Sequence, residues 1–341
     1  MEQLTLVEAG RIEWRDVAEP KLEGGDDALV RPLAVTRCDI DLPYASGLLP
    51  PPNPFALGHE CVGEITALGD KVRGLHVGQR VIVPFQISCG HCTRCRAGHT
   101  GSCSSVPFLS AFGLPLSGRE WGGALSGLLR VPFAEAMLVP APSGVPAWCL
   151  AAAADNASDG WRCVAQHLAE RPGAPVLVLV GLAPSVALYA ADAALALGAE
   201  RVDVASPDQS VLGIAERIGA NPIQTNFEGK LGPYPITVDG AGDPAALSLA
   251  IRSTDLEGVC TSAVYYPFND VALPMGRMYT KGVRLFAGRC HARAVLPAVA
   301  EAIAAKRLHP EIITTRRVAW NDAAAAMAEP TIKLVVDREA T

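Results

Sequence analysis

The sequence predicts an α/β chain built as a small β-barrel followed by a doubly wound parallel sheet, and three observations carry that expectation. The chain has 341 residues, too many for one ordinary core. Up to about residue 145 it is rich in Gly and Pro with short β-type runs, whereas from about residue 147 apolar strands alternate with Ala-rich helices. Its last segment, Thr331–Val336, turns back to a β pattern.

Ala28–Leu33, Glu60–Leu68, Arg80–Pro84 and Ala136–Val139 read as strands set between turn residues. Val176–Val180 is a wholly apolar strand, and Pro184–Leu197 a helix with Pro in its first turn and Gly198 as its stop. Arg201–Ala205 reads as the next strand and Val211–Ile218 as a helix ended by Gly219; Ile236–Val238, Ala245–Ile251 and Gly258–Val264 continue the alternation. Such βαβ repetition predicts a parallel sheet covered on both faces. A helix near Ala294–Ala305, the segment Ile312–Arg317, a helix over Asn321–Ala328 and the closing strand complete the chain. The expected domains are 1–146, with a lobe at 85–105, then 147–285, then 286–341 returning to the first.

Half the residues are hydrophobic and 19% charged, a globular composition. A net charge of −6 argues against a nucleic acid or an anionic membrane as partner. Met1–Arg15 has no apolar run of the secretory kind, and the apolar stretch from Val176 to Leu197 is broken by Gly181, Pro184, Ser185 and Asp192. Ten cysteines without a secretory signal point to metal ligands rather than a disulfide framework, and so to the cytoplasm. Cys61, Cys149, Cys163, Cys260 and Cys290 lie in apolar context and are expected to fill core space.

Cys89, Cys92, Cys95 and Cys103 follow the spacing C-x2-C-x2-C-x7-C. Four thiolates close a tetrahedron around Zn²⁺ with no open position, which holds a loop in shape and does no chemistry. Two further segments matter beside this cluster. Gly58-His59-Glu60 opens the apolar run Cys61–Leu68, after the Pro-rich turn 50–54, and Thr36-Arg37-Cys38-Asp39-Ile40-Asp41 lies upstream.

Together these residues resemble the zinc-dependent alcohol dehydrogenase family of medium-chain dehydrogenases/reductases, in order and over essentially the whole chain. The resemblance implies a GroES-like catalytic domain, a Rossmann domain, one catalytic zinc and one structural zinc. It implies Cys38 and His59 as the first two catalytic zinc ligands, Glu60 as the acidic neighbour of the histidine, and Lys333 as a basic residue near that Glu and the cofactor. Ala154-Asp155-Asn156-Ala157-Ser158-Asp159-Gly160-Trp161 resembles the glutathione-independent formaldehyde dehydrogenase subgroup, as do Trp121-Gly122-Gly123-Ala124 and Arg130-Val131-Pro132; that implies Asp155 as third ligand. A helix N-cap is the alternative role for Asp155. Three protein ligands leave a fourth position, where zinc polarises an alcohol or carbonyl oxygen for hydride transfer.

The chain departs from the family pattern in two places. Ile40 stands where Ser or Thr usually passes a proton outward, and Pro43 where a histidine often follows. In the glycine loop, Gly181-Leu182-Ala183-Pro184-Ser185-Val186 keeps only the first glycine of the dinucleotide fingerprint, although the helix start still offers amides to a phosphate. Ser206 occupies the position that selects the cofactor, with Asp203 and Asp208 as displaced substitutes; no Lys or Arg follows closely, which favours NAD over NADP. Asp159 is a polar candidate near the cofactor. The expected activity is hydride transfer between an alcohol, aldehyde or ketone and NAD(P), by a homodimer or homotetramer. The alternative is a non-catalytic or weakly catalytic descendant that keeps fold and zinc.

Overall fold

The computed structural model describes residues 1–50, 54–266 and 270–340; most of the Pro-rich turn 50–54 lies outside the described residues. The chain divides into two compact units, one of 1–158, 290–304 and 314–341, the other of 159–289 and 305–313.

In the first unit, the strand Ala28–Thr36 is central. It pairs antiparallel with Glu60–Leu68 on one side and with Leu334–Asp337 on the other, the latter extending to a parallel neighbour, Arg316–Ala319. Arg80–Val83 and Val139–Pro140 continue the sheet beyond Glu60–Leu68. A smaller antiparallel sheet joins Glu2–Glu8 to Arg11–Asp16 and Phe55–Ala56. Leu4, Leu6, Val30, Val35, Ile65, Val83, Phe112 and Leu125 contribute to the core between them. Residues 147–158 stay with this unit because the turns Ala147–Leu150 and Ala151–Ala154 pack on Ala28–Thr36 and Glu60–Leu68. Four consecutive alanines, each at most 2% exposed, let the backbone lie close to the sheet.

One β-type expectation here is corrected. Ala134–Met137 is a helical turn, closed by Met137 N–H to Phe133 O at 2.8 Å and Leu138 N–H to Ala134 O at 2.8 Å, and the strand that follows is only Val139–Pro140. Ala, Glu and Met favour helix locally, and the Glu135 carboxylate fixes the turn by accepting the Arg73 and Gly74 amides.

In the second unit, six described strands run parallel in the spatial order Asn221–Gln224, Val202–Ser206, Val176–Val180, Tyr234–Gly240, Thr254–Ser262, Arg284–Ala287. Numbered along the chain this is 3-2-1-4-5-6, the doubly wound dinucleotide-fold order. Val176–Val180 is fully buried, as its unbroken apolar sequence requires. The helix Pro184–Ala196 follows it, with Pro at its start and nearly every residue buried. Ile312–Arg317 is not one element: a helical turn Pro310–Ile313 belongs to this unit, and the strand Arg316–Ala319 to the other. His309 anchors that turn, its backbone amide and Nδ1 bonding the buried Asp192 carboxylate at 2.6 and 2.9 Å. Among the described residues no helix is long and apolar enough to cross a membrane.

Candidate metal centres and cofactor loop

Two groups of side chains are arranged to hold a metal ion. The first is Cys89, Cys92, Cys95 and Cys103, whose sulfurs all lie within 4.8 Å of one another. Cys92 and Cys103 sulfurs are 4.0 Å apart, close to the roughly 3.8 Å spanned by two thiolates on one tetrahedral zinc and far beyond a disulfide bond. Backbone amides serve the sulfurs: Cys89 N–H to Cys103, Cys92 N–H to Cys89, Cys95 N–H to Cys92, Ser105 N–H to Cys103, all at 3.3–3.4 Å. The Ser104 hydroxyl and the Cys95 amide draw the Cys92 thiol towards thiolate, whereas burial pushes Cys95 the other way. A divalent cation is the partner that lets all four ionise together.

The second group is Cys38, His59 and Asp155, again within 4.8 Å and all buried. Cys38 follows the end of the strand Ala28–Thr36, His59 directly precedes Glu60–Leu68, and Asp155 ends the alanine turn packed on both strands. Neighbouring strands therefore bring positions 21 residues apart in sequence side by side, and Ala151–Ala154 delivers Asp155 to them. His59 Nε2 stands 3.6 Å from Asp155 Oδ2, near the roughly 3.3–3.6 Å expected of two ligand atoms on one tetrahedral ion. Asp155 precedes the helix Asn156–Glu170, but its carboxylate faces His59 and the Asn156 amide, so the ligand geometry describes it better than a cap.

The chemistry of the donor set gives a test of metal fit. His59 is 1% exposed, yet neither ring nitrogen has a hydrogen-bond partner. Such orphaned atoms are costly unless something outside the protein serves them. Asp41 Oδ2 accepts the Cys38 amide at 3.0 Å, which sets the Asp41 carboxylate beside the ring; its Oδ1 faces Nδ1 at 3.7 Å, too far for a hydrogen bond. Burial alone would depress His59, but the Asp41 and Asp155 carboxylates outweigh it and push it up to about 9. Burial, then Asp155 and Glu60, raise the Cys38 thiol well above its ordinary value. A thiol, an imidazole and a carboxylate, all buried and within 4.8 Å of one another, fit a divalent cation.

Glu60 and Lys333 are both fully buried and form an ion pair at 2.5 Å. Lys333 Nζ also donates to Arg37 O at 3.0 Å and to Asn156 Oδ1, so its three protons are engaged within the protein. It stands beside Glu60 as the resemblance implies. Its role towards the cofactor is not carried by a free donor.

Within the second unit, Gly181 ends the first strand, and a Cβ there would meet Ala241 O at 2.7 Å, so this surviving glycine is required. Ala183 and Val186 are buried at 8% and 4% exposure, Ser185 is buried and Pro184 opens the helix. Close helix–strand packing, normally secured by the third glycine, is provided from the sheet instead: a Cβ on Gly240 would lie 2.6 Å from Ala187 Cβ. Ser206 ends the second strand, buried, accepting the Asp208 amide at 3.1 Å. Asp203 bonds Tyr234 and Asn221, and Asp208 caps the helix Gln209–Arg217 through Ser210, so neither displaced acid is free of structural work. Asp159 pairs with Arg162. Sequence reasoning missed the places of Asn156 and Asp41 at this site; the single available signal was their closeness in sequence to Asp155 and Cys38.

A model of the alcohol dehydrogenase GroES-like domain matches residues 24–143. The medium chain reductase/dehydrogenase ucsI of Acremonium sp is 32% identical over 217 residues, covering 62% of this chain and 71% of that protein. Over another of the first curated relatives the match spans only 56% of its length. The glutathione-independent formaldehyde dehydrogenase of Pseudomonas aeruginosa is 29% identical over 144 residues, 39% of this chain and 36% of that one, so this likeness is local. Alcohol dehydrogenase TADH from Thermus sp. ATN1 superposes with a TM-score of 0.87 at 26% identity, covering 99% of both chains. With a GroES-like domain, a Rossmann domain and relatives that include the zinc-type alcohol dehydrogenase B of Aspergillus flavus, 26% identical over 292 residues, 82% of this chain and 66% of that one, the chain belongs to the zinc-dependent alcohol dehydrogenase family of medium-chain dehydrogenases/reductases, a family of NAD(P)-dependent oxidoreductases.

Proposed function

We propose that this chain transfers a hydride between an alcohol and NAD(P), with Cys38, His59 and Asp155 holding a catalytic zinc and Cys89, Cys92, Cys95 and Cys103 a structural one. The carrying observation is His59, buried at 1% exposure with two unpartnered ring nitrogens between a thiol and a carboxylate. A purely structural role does not account for that arrangement, whereas a bound metal ion does. Bound zinc supplies Lewis acidity that polarises an alcohol or carbonyl oxygen. The Asp41 carboxylate stands beside the His59 ring, and the Glu60–Lys333 pair balances charge beside the ligands. Ile40 and Pro43 offer no hydroxyl or imidazole along the usual outward path, so the substrate proton leaves by another route.

For the cofactor, the start of the helix Pro184–Ala196 presents its amides and positive dipole end to a diphosphate. NAD is the better fit, because no Lys or Arg follows Ser206 closely to receive a 2′-phosphate. A homo-oligomer in the cytoplasm belongs to the same proposal, because a four-thiolate site needs reduced cysteines. Metal analysis with nucleotide titration tests the core of it. The expected result is two zincs per chain, tighter binding of NADH than NADPH, and for Cys38→Ser one zinc, an intact fold and no turnover. Full activity in Cys38→Ser, or a single zinc in the wild-type chain, would refute the assignment.

A further inference from the structure

The side chains around the second metal group converge on Asn156, which is 1% exposed. Its backbone amide donates to Glu60 Oε1 at 3.0 Å. Its Nδ2 donates to Cys38 Sγ and to Asp155 Oδ2, both at 3.2 Å, and its Oδ1 accepts from Lys333 Nζ. Only one orientation of the amide is chemically consistent. Flipped, it would set an oxygen against a thiolate and a carboxylate, and two N–H bonds against an ammonium. The remaining Glu60 oxygen is taken by Lys333 and Thr36, so both oxygens of that carboxylate are committed.

We propose that Asn156 is a positioning residue of the metal centre: its amide orients the Cys38 sulfur and the Asp155 carboxylate while it holds Lys333 on Glu60, keeping the protein's donor set at three. An N–H bond to a thiolate withdraws electron density from sulfur, and a carboxylate sharing one oxygen with an amide has a fixed direction for the other. Glu60, bound at both oxygens, is not available as an extra ligand. The position the three ligands leave open then remains for substrate. The inference deepens the zinc reading above and rests on it.

The test compares Asn156→Ala, which removes donor and volume, with Asn156→Leu, which keeps the volume and loses the donor. Each protein is purified as the full chain, competed for zinc by a chromophoric chelator, and separately loaded with Co²⁺. The thiolate-to-cobalt charge-transfer band of the Cys38 site is read as the difference from Cys38→Ser. Both variants are expected to keep the four-cysteine metal, to bind the other metal about 10–100-fold more weakly, and to shift the band to lower energy, since sulfur has lost a hydrogen bond. An effect in Asn156→Ala that Asn156→Leu abolishes would mark a packing role and overturn the proposal. Failure of both to fold would do the same. Unchanged affinity and band in variants of a two-metal wild type would overturn this inference alone, whereas a one-metal wild type would overturn the zinc reading beneath it.

Discussion

Lys333 is the residue whose sequence position says least about its surroundings. It lies just before the strand Leu334–Asp337, yet its ammonium lies at 0% exposure against Glu60, a residue 273 positions earlier. A buried pair of this kind contributes little net stability, but breaking one side leaves the other charge stranded. Lys333→Met is therefore expected to cost about 3–5 kcal/mol, read as a lowered denaturation midpoint, and adding Glu60→Gln is expected to recover most of the loss. No recovery in the double variant would show that Lys333 acts through packing rather than charge. The four clustered cysteines were legible from their spacing, whereas Cys38 and His59 were legible only through the family resemblance. Asn156 and Asp41 were not, because amides and carboxylates are common and their meaning here depends on four segments meeting in space. Lys333 was placed correctly beside Glu60, but the exhaustion of its donors by Arg37 O and Asn156 is visible only in three dimensions.

Among the elements, the helix Gln209–Arg217 shows how a position read for cofactor choice also has a structural task. Asp208 is its N-cap and accepts from Ser210 N–H at 2.8 Å and Ser210 Oγ at 2.7 Å. The Ser210 hydroxyl, then the backbone amide, hold the carboxyl below its ordinary value. A carboxylate depressed in the folded state stabilises above its unfolded pKa of about 3.9 and loses that contribution as pH falls through its lower folded value. Asp208→Ala should thus cost about 1 kcal/mol at neutral pH, with the gap to wild type constant down to about pH 5 and narrowing below about pH 4. Urea melts across that range check it, and a gap that widens in acid would contradict the sign. The inner strands of the parallel sheet were legible, as with the apolar run Val176–Val180, but the two edge strands Asn221–Gln224 and Arg284–Ala287 were missed because each is short and carries polar or charged residues. Ala136–Val139 was misread as a strand because its Ala, Met, Leu and Val satisfy a short β window, while the contacts that fix the turn Ala134–Met137 come from Arg73 and Gly74, 61 or more residues away. The packing role of Gly240 was equally hidden, since a glycine near the end of a strand announces no partner until Ala187 is seen against it.

At the scale of the whole molecule, the second unit ends its six-stranded sheet on Arg284–Ala287, a strand paired on one side with Thr254–Ser262. An unpaired strand edge is a template for another chain unless it is covered or made charged. Large apolar side chains are exposed in the same stretch of sequence: Phe286 at 42%, Met275 at 61% and Tyr279 at 89%. Covering such side chains with a second copy would remove them from water at roughly 25 cal/mol per Å², and a self-complementary edge closes into a two-fold dimer. The homo-oligomer proposed above is therefore argued to use this edge. Sedimentation equilibrium should give at least twice the 35.7 kDa chain mass at micromolar concentration, and Phe286→Lys combined with Tyr279→Lys should reduce it to the monomer while both zincs remain bound. A wild-type monomer would refute the oligomer itself, and an unaltered mass in the double variant would place the interface on another surface.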